Sequence, residues 1–173
     1  MSGFVFDVLA EYERVRSLCK PAFEMAANLD PARPEQFTDM QRYNDICDWI
    51  EKNVGSASVR SAGRAIGQRV YDTIVRSAKL QKPTPLAIME SLKWAASTMI
   101  RDPKGRGWEI TEQSASSLVM RRTQTFNCVL QEGLLLSLLE RTGVLMPAVA
   151  HASCTRQGAP YCEYRLTWLA RKG

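Results

Sequence analysis

The sequence predicts an α+β fold: N-terminal helices followed by a small antiparallel sheet with one helix packed on it. Three observations carry this. Apolar residues recur at helical spacing through the first hundred residues. From Trp108 onward they alternate in twos, as in half-buried strands. Helix-like and strand-like segments are also grouped rather than interleaved, which separates α+β from α/β chains. At 173 residues, 45% hydrophobic and 24% charged, the chain is long enough for one domain with a real core.

The elements follow in order. Residues Phe4 to Leu29 read as helical with a kink or break at Pro21, which has no N–H to donate. Pro31 and Pro34 mark a loop. Thr38 and Gln41 have the spacing of a capping box and open a helix with Met40, Tyr43, Ile46, Cys47 and Ile50 on its apolar face, closed by Gly55. A longer helix runs from Ser58 to Leu80. Its Gly63 and Gly67 lie on one side, so another backbone is expected to approach closely there. Thr84 caps the next helix with Pro85 in its first turn, and Asp102-Pro103 ends it. Trp108 to Glu112 and Leu118 to Thr125 read as strands around a turn at Ser114 to Ser117. Phe126 to Arg141 returns to helix and stops before Gly143. The last two strands, around Val149 to Cys154 and Tyr161 to Leu169, flank a tight turn at Gln157-Gly158-Ala159-Pro160. No repeat or low-complexity tract interrupts the chain. Residues 1–57 are read as a helical extension and 58–173 as the main domain, forming one compact unit together.

The net charge of +5 is spread over scattered basic residues, with only short pairs such as Arg121-Arg122. Basic stripes with interleaved aromatics are missing, so no nucleic-acid partner is expected. No apolar run reaches the length of a membrane span. Met1-Ser2-Gly3-Phe4 lacks the basic start of a signal peptide, so a cytoplasmic location is expected. Five cysteines in such a chain argue against a disulfide framework. Cys19 and Cys47 fall on apolar helix faces and read as buried small hydrophobes.

The remaining cysteines and the only histidine spell C-x22-H-x2-C-x7-C through Cys128, His151, Cys154 and Cys162. Three cysteines with one histidine form a common tetrahedral set, so the spacing suggests one structural Zn2+ ion. Cys154 and Cys162 flank the final turn, where a hairpin brings them together. Cys162, Tyr164, Leu166 and Trp168 share the inward face of the last strand. His151 and Cys154 are three apart, so the set requires a bulge or loop at Ala152-Ser153. Arg156 or Arg165 is expected to balance the charge of three thiolates. The plainer reading of the same residues is buried free cysteines and a surface histidine.

Phe126-Asn127-Cys128, Glu132-Gly133, Gly143, His151-x-x-Cys154 and Gly158-Ala159-Pro160-Tyr161-Cys162-Glu163-Tyr164 with Trp168 resemble the 4-vinyl reductase domain. The resemblance implies a fold shared with haem–nitric-oxide-binding domains and with vesicle-tethering subunits. In the sensor domains of phenol-responsive transcription activators, a domain of this type holds zinc through three cysteines and a glutamate. The cysteine spacings there look like those of Cys128, Cys154 and Cys162, and the glutamate falls on His151. Trp108 stands near a pocket tryptophan of those sensors, whereas the pocket histidine has no counterpart. The proximal histidine and Tyr-x-Ser-x-Arg motif of haem sensors are absent, so haem is not expected.

The implied function is a non-enzymatic, bacterial sensor or regulatory protein. It would bind a small apolar or aromatic molecule and signal through a homodimer or another protein partner, with the N-terminal helices as a dimerisation element. Tyr71, Trp94, Trp108, Phe126 and Glu132 are the expected pocket residues, with Glu132 alternatively in the outer shell of the metal. The plainer reading of the aromatics is core packing. An enzyme or accessory factor of tetrapyrrole vinyl reduction and an assembly scaffold without ligand are the alternatives. The chain offers no free histidine for acid–base work, no G-x-S-x-G elbow and no phosphate loop.

Overall fold

The computed structural model describes residues 3–169; residues 1–2 and 170–173, the outer ends of the two predicted segments, lie outside the described residues. The helices are α1 (Gly3–Ala10), α2 (Lys20–Glu24), α3 (Met40–Asn53), α4 (Ser56–Ser77), α5 (Pro85–Met99) and α6 (Cys128–Arg141). The strands are β1 (Trp108–Gln113), β2 (Ser117–Arg122), β3 (Leu145–Ser153) and β4 (Cys162–Leu169). The sheet is antiparallel throughout, in the order β1-β2-β4-β3. The α+β expectation therefore holds: five helices precede the sheet, and α6 crosses between β2 and β3.

The packing centres on α6. One side meets β3 and β4, whose inward Cys162, Tyr164, Leu166 and Trp168 are all buried. The other side meets α4 backbone against backbone. A Cβ on Gly63 would collide with the Leu130 carbonyl oxygen, and one on Gly133 with the Arg60 carbonyl oxygen. At Gly67 it would lie 2.7 Å from Ser137 Cβ and 2.8 Å from the Leu134 oxygen. The close approach expected of Gly63 and Gly67 thus falls on α6. One apolar cluster runs from Val5 and Val8 of α1 through α3, α4 and α6 to the sheet. Cys19 and Cys47 lie in it, fully buried, and burial pushes the Cys47 thiol up to about 12.

Several boundaries differ from expectation. The first predicted helix is broken ahead of Pro21 rather than at it: α1 ends at Ala10, a 3-10 turn spans Glu13–Val15, and Pro21 sits in the first turn of α2. Asp39, not Thr38, caps α3, its carboxylate accepting from the Gln41 N–H at 2.9 Å. β2 stops at Arg122, and β3 starts at Leu145, with Pro147 inside it. Pro147 is tolerated because β3 is an edge strand. Thr84 caps α5 as expected, accepting from Ala87 N–H at 3.2 Å. Among the described residues no helix is long and apolar enough to cross a membrane.

Candidate functional site

Asn127 caps α6, its side-chain oxygen accepting from the Leu130 N–H at 2.9 Å, and so places Cys128 in the first turn facing the sheet. Cys128 Sγ lies 3.4 Å from Cys162 Sγ and 3.7 Å from Cys154 Sγ. The register of β3 slips between His151 and Ser153, so a bulge lies where the spacing requires one, and Cys154 leaves the strand. The ligating atoms of Cys128, His151, Cys154 and Cys162 all fall within 4.8 Å of one another. Tetrahedral sulfur ligands held about 2.3 Å from an ion sit about 3.8 Å apart, so the four groups can hold a metal ion.

The His151 ring stacks on Tyr164, with centroids 4.6 Å apart and planes 8° from parallel. Its Nδ1 faces Glu132 Oε1 at 3.6 Å, while Nε2 is buried without a partner. Glu132 is held by Arg60, whose Nε and Nη2 donate at 3.0 and 2.7 Å. It thus stands behind the imidazole, as carboxylates commonly do behind ligating histidines.

Arg122 is the residue that sequence reading missed. Its guanidinium has no exposed surface. Nη2 donates to the Phe126 carbonyl oxygen at 2.7 Å and lies 3.5 Å from both Cys128 Sγ and Cys162 Sγ. Nε and Nη1 have no partner. A buried cation demands an anion, and the sulfurs it touches can supply one. The hydrogen bond from Cys128, aided by Thr155 and by Arg122, holds the Cys162 thiol well below the usual range. The same Cys162 contact, together with burial, pushes Cys128 up, so one thiolate and one thiol share a proton. The two arginines expected to balance the site are engaged elsewhere. Arg156 pairs with Asp48 and with Glu51, and Arg165 pairs with Glu163 at 3.2 Å. Asp48 and Glu51 also accept from Asn127 Nδ2 at 2.9 and 2.8 Å, tying α3 to the start of α6.

Beside α6 lies a cavity of about 350 Å³ between α1, α4, α5 and the start of β1. Buried Ile66, Ile74, Leu92, Trp108, Phe126 and Leu134 form its apolar walls, and exposed Arg69, Thr73 and Met99 mark its rim. Of the expected pocket residues, Trp108 and Phe126 line this cavity. Tyr71 packs under Arg141, at 4.9 Å from the ring centroid. Trp94 is 66% exposed on the outer side of α5, and Glu132 faces His151. Gln131, which also lines the cavity, had not been singled out in the sequence. It follows Cys128 by three, and that spacing was the available signal.

No family model matches the chain, and no curated protein matches it. Solved structures do. An H-NOX protein from S. oneidensis in the Fe(II)NO ligation state superposes with a TM-score of 0.68 at 14% identity, covering 98% of this chain and all of the other. An unliganded Fe(II) H-NOX protein from K. algicida gives 0.68 at 11% identity over 100% and 99% of the two chains. A Cs H-NOX mutant gives 0.69 at 11% over 98% and 97%.

These neighbours correct the expectation of a structural Zn2+ ion: the H-NOX proteins that match are described in iron ligation states and by their haem, not by zinc. Haem, in turn, does not fit the residues present here. No histidine or cysteine lines the cavity, and His151 is gathered with the thiols in the cluster. Met99, a further lining residue with a potential ligand atom, stands at the exposed rim. What the three matches establish, over nearly the whole of both chains, is that this chain has the H-NOX fold.

Proposed function

We propose that the chain is a small-molecule-binding regulatory protein of the 4-vinyl-reductase type. An apolar or aromatic ligand occupies the cavity, and the Cys128–His151–Cys154–Cys162 cluster holds a thiophilic metal ion that fastens α6 to the β3–β4 hairpin. Residues 58–173 form the ligand-binding part. Residues 1–57 are a helical extension that contributes Phe4, Asp7 and Tyr43 to the cavity wall. Output passes through a second copy or another protein, in the cytoplasm.

The observation that carries this reading is the position of α6. Cys128 stands in the thiol cluster, while Gln131 and Leu134 of the same helix line the cavity. A ligand that favours one packing of α6 therefore acts on the cluster too, as a shift between two populated arrangements. The presence of a cavity with a rim supports binding over a purely scaffolding role.

The test combines metal analysis of the purified protein with titration of indane, a neutral aromatic hydrocarbon, by calorimetry. A stoichiometric metal ion, lost in Cys162→Ser together with a lower melting temperature, and saturable binding of one indane per chain are expected. A metal-free protein whose melting does not respond to Cys162→Ser would overturn the metal centre. Absence of saturable indane binding would overturn the ligand-binding role.

A further inference from the structure

Gln131 is 6% exposed and lines the cavity, yet its carboxamide makes no hydrogen bond to any described residue. The amide opens onto the cavity rather than being sealed in the core, so a molecule in the cavity is its available partner. The charged side chains and Thr73 at the rim are engaged within the protein. Arg69 lies 3.5 Å from Asp7 and 2.9 Å from Glu11. The Thr73 hydroxyl donates to the Arg69 carbonyl oxygen at 3.0 Å. The Gln131 carboxamide and the Trp108 indole N–H are left without a hydrogen bond to any described residue on a wall otherwise formed by apolar side chains such as Phe126 and Leu134.

We infer that the cavity selects a neutral molecule with an apolar body and one hydrogen-bonding group, which pairs with the Gln131 carboxamide. The amide both donates and accepts, so a hydroxyl or a carbonyl satisfies it. A carboxylate or ammonium group would be buried beside a neutral amide, since Asp7 and Arg69 are paired with each other at the rim, and an unpaired buried charge is strongly disfavoured. Gln131 is one turn from Cys128, so the ligand's polar group is read beside the helix end that carries the thiol. The inference rests on the binding role proposed above and adds the ligand class.

The experiment uses three probes with one bicyclic body: indane, indan-1-ol and indane-1-carboxylate, titrated into the whole chain and into Gln131→Met. Indan-1-ol should bind about fivefold more tightly than indane to the unmodified protein, the worth of one ordinary hydrogen bond. Gln131→Met, nearly isosteric, should abolish that difference and leave indane binding as tight or tighter. The ligand-free variant should melt close to the parent, because the amide makes no hydrogen bond within the described residues and the swap nearly conserves volume. Gln131→Ser, which shortens the group out of reach, gives the same readout should the methionine variant misfold. Equal binding of indane and indan-1-ol, or a difference that survives both substitutions, would overturn the role of Gln131 while leaving the cavity a binding site. Tightest binding by the carboxylate would overturn the neutral class. No binding by any probe would overturn the cavity's binding role and this inference with it.

Discussion

Arg122 shows what a single buried cation does to its surroundings. Its guanidinium lies among the rings of Trp108, Phe126 and Tyr164, at 5.7, 6.0 and 5.8 Å from their centroids, with the two sulfurs as its acidic neighbours. Its positive charge lowers the proton affinity of both Cys128 and Cys162. In metal-free protein, Arg122→Met should therefore move the first thiolate step in the ultraviolet absorbance titration to higher pH, by about one pH unit or more. An unmoved midpoint would mean that the thiols take their acidity from Thr155 and from each other. The residues of the cluster were legible because cysteine and histidine are rare and their spacing is discrete. Arg122 was not: beside Arg121 it reads as a surface pair. Only alternation with Leu118 and Met120, both buried on the inner face of β2, distinguishes it. Gln131 escaped for a similar reason, since a glutamine on a helix ordinarily faces water.

The α4–α6 contact is decided by glycine. Gly133→Ala places a methyl group into the Arg60 carbonyl, backbone against backbone, where no rotamer change relieves it. It should cost about 3 kcal/mol or more in denaturant unfolding, the upper end of ordinary overpacking. Gly105→Val, at a site open on all sides but with φ of 62°, provides a comparison in which only backbone strain acts. Element types were legible wherever the apolar period was long, as in α4, α5 and α6. Boundaries were not where a local contact decides, as at Asp39, which outcompetes Thr38 for the cap, or between α1 and α2, which share an apolar pattern but not a continuous helix. Trp94, expected in the pocket, was a misreading of the spacing itself. It shares α5 with the buried Ile88, Met89 and Leu92 but is off the three- and four-residue spacing that joins them, so it turns to solvent.

At the scale of the whole molecule, the N-terminal helices complete both halves of the site. Phe4, Asp7 and Tyr43 line the cavity, Asn44 donates to the Thr125 carbonyl, and Asp48 and Glu51 hold Asn127 and Arg156 beside the cluster. A fragment spanning residues 58–173 should therefore lose saturable indane binding and unfold at lower denaturant than the full chain. Retention of both would make the extension dispensable to the site. The order of helices before sheet was visible in the sequence. The closing of the cavity by chain segments more than fifty residues away was not, because no periodicity records which face of α3 meets which neighbour. The glycine contact finally decides which parts of the molecule can breathe. Two backbones in direct touch cannot slide by a side-chain repacking, so α4 and α6 move as one beam. Entry to an interior bounded by that beam must come from α1 and α5, which meet it through side chains. The amide protons of α5 should accordingly exchange with solvent well before those of α6.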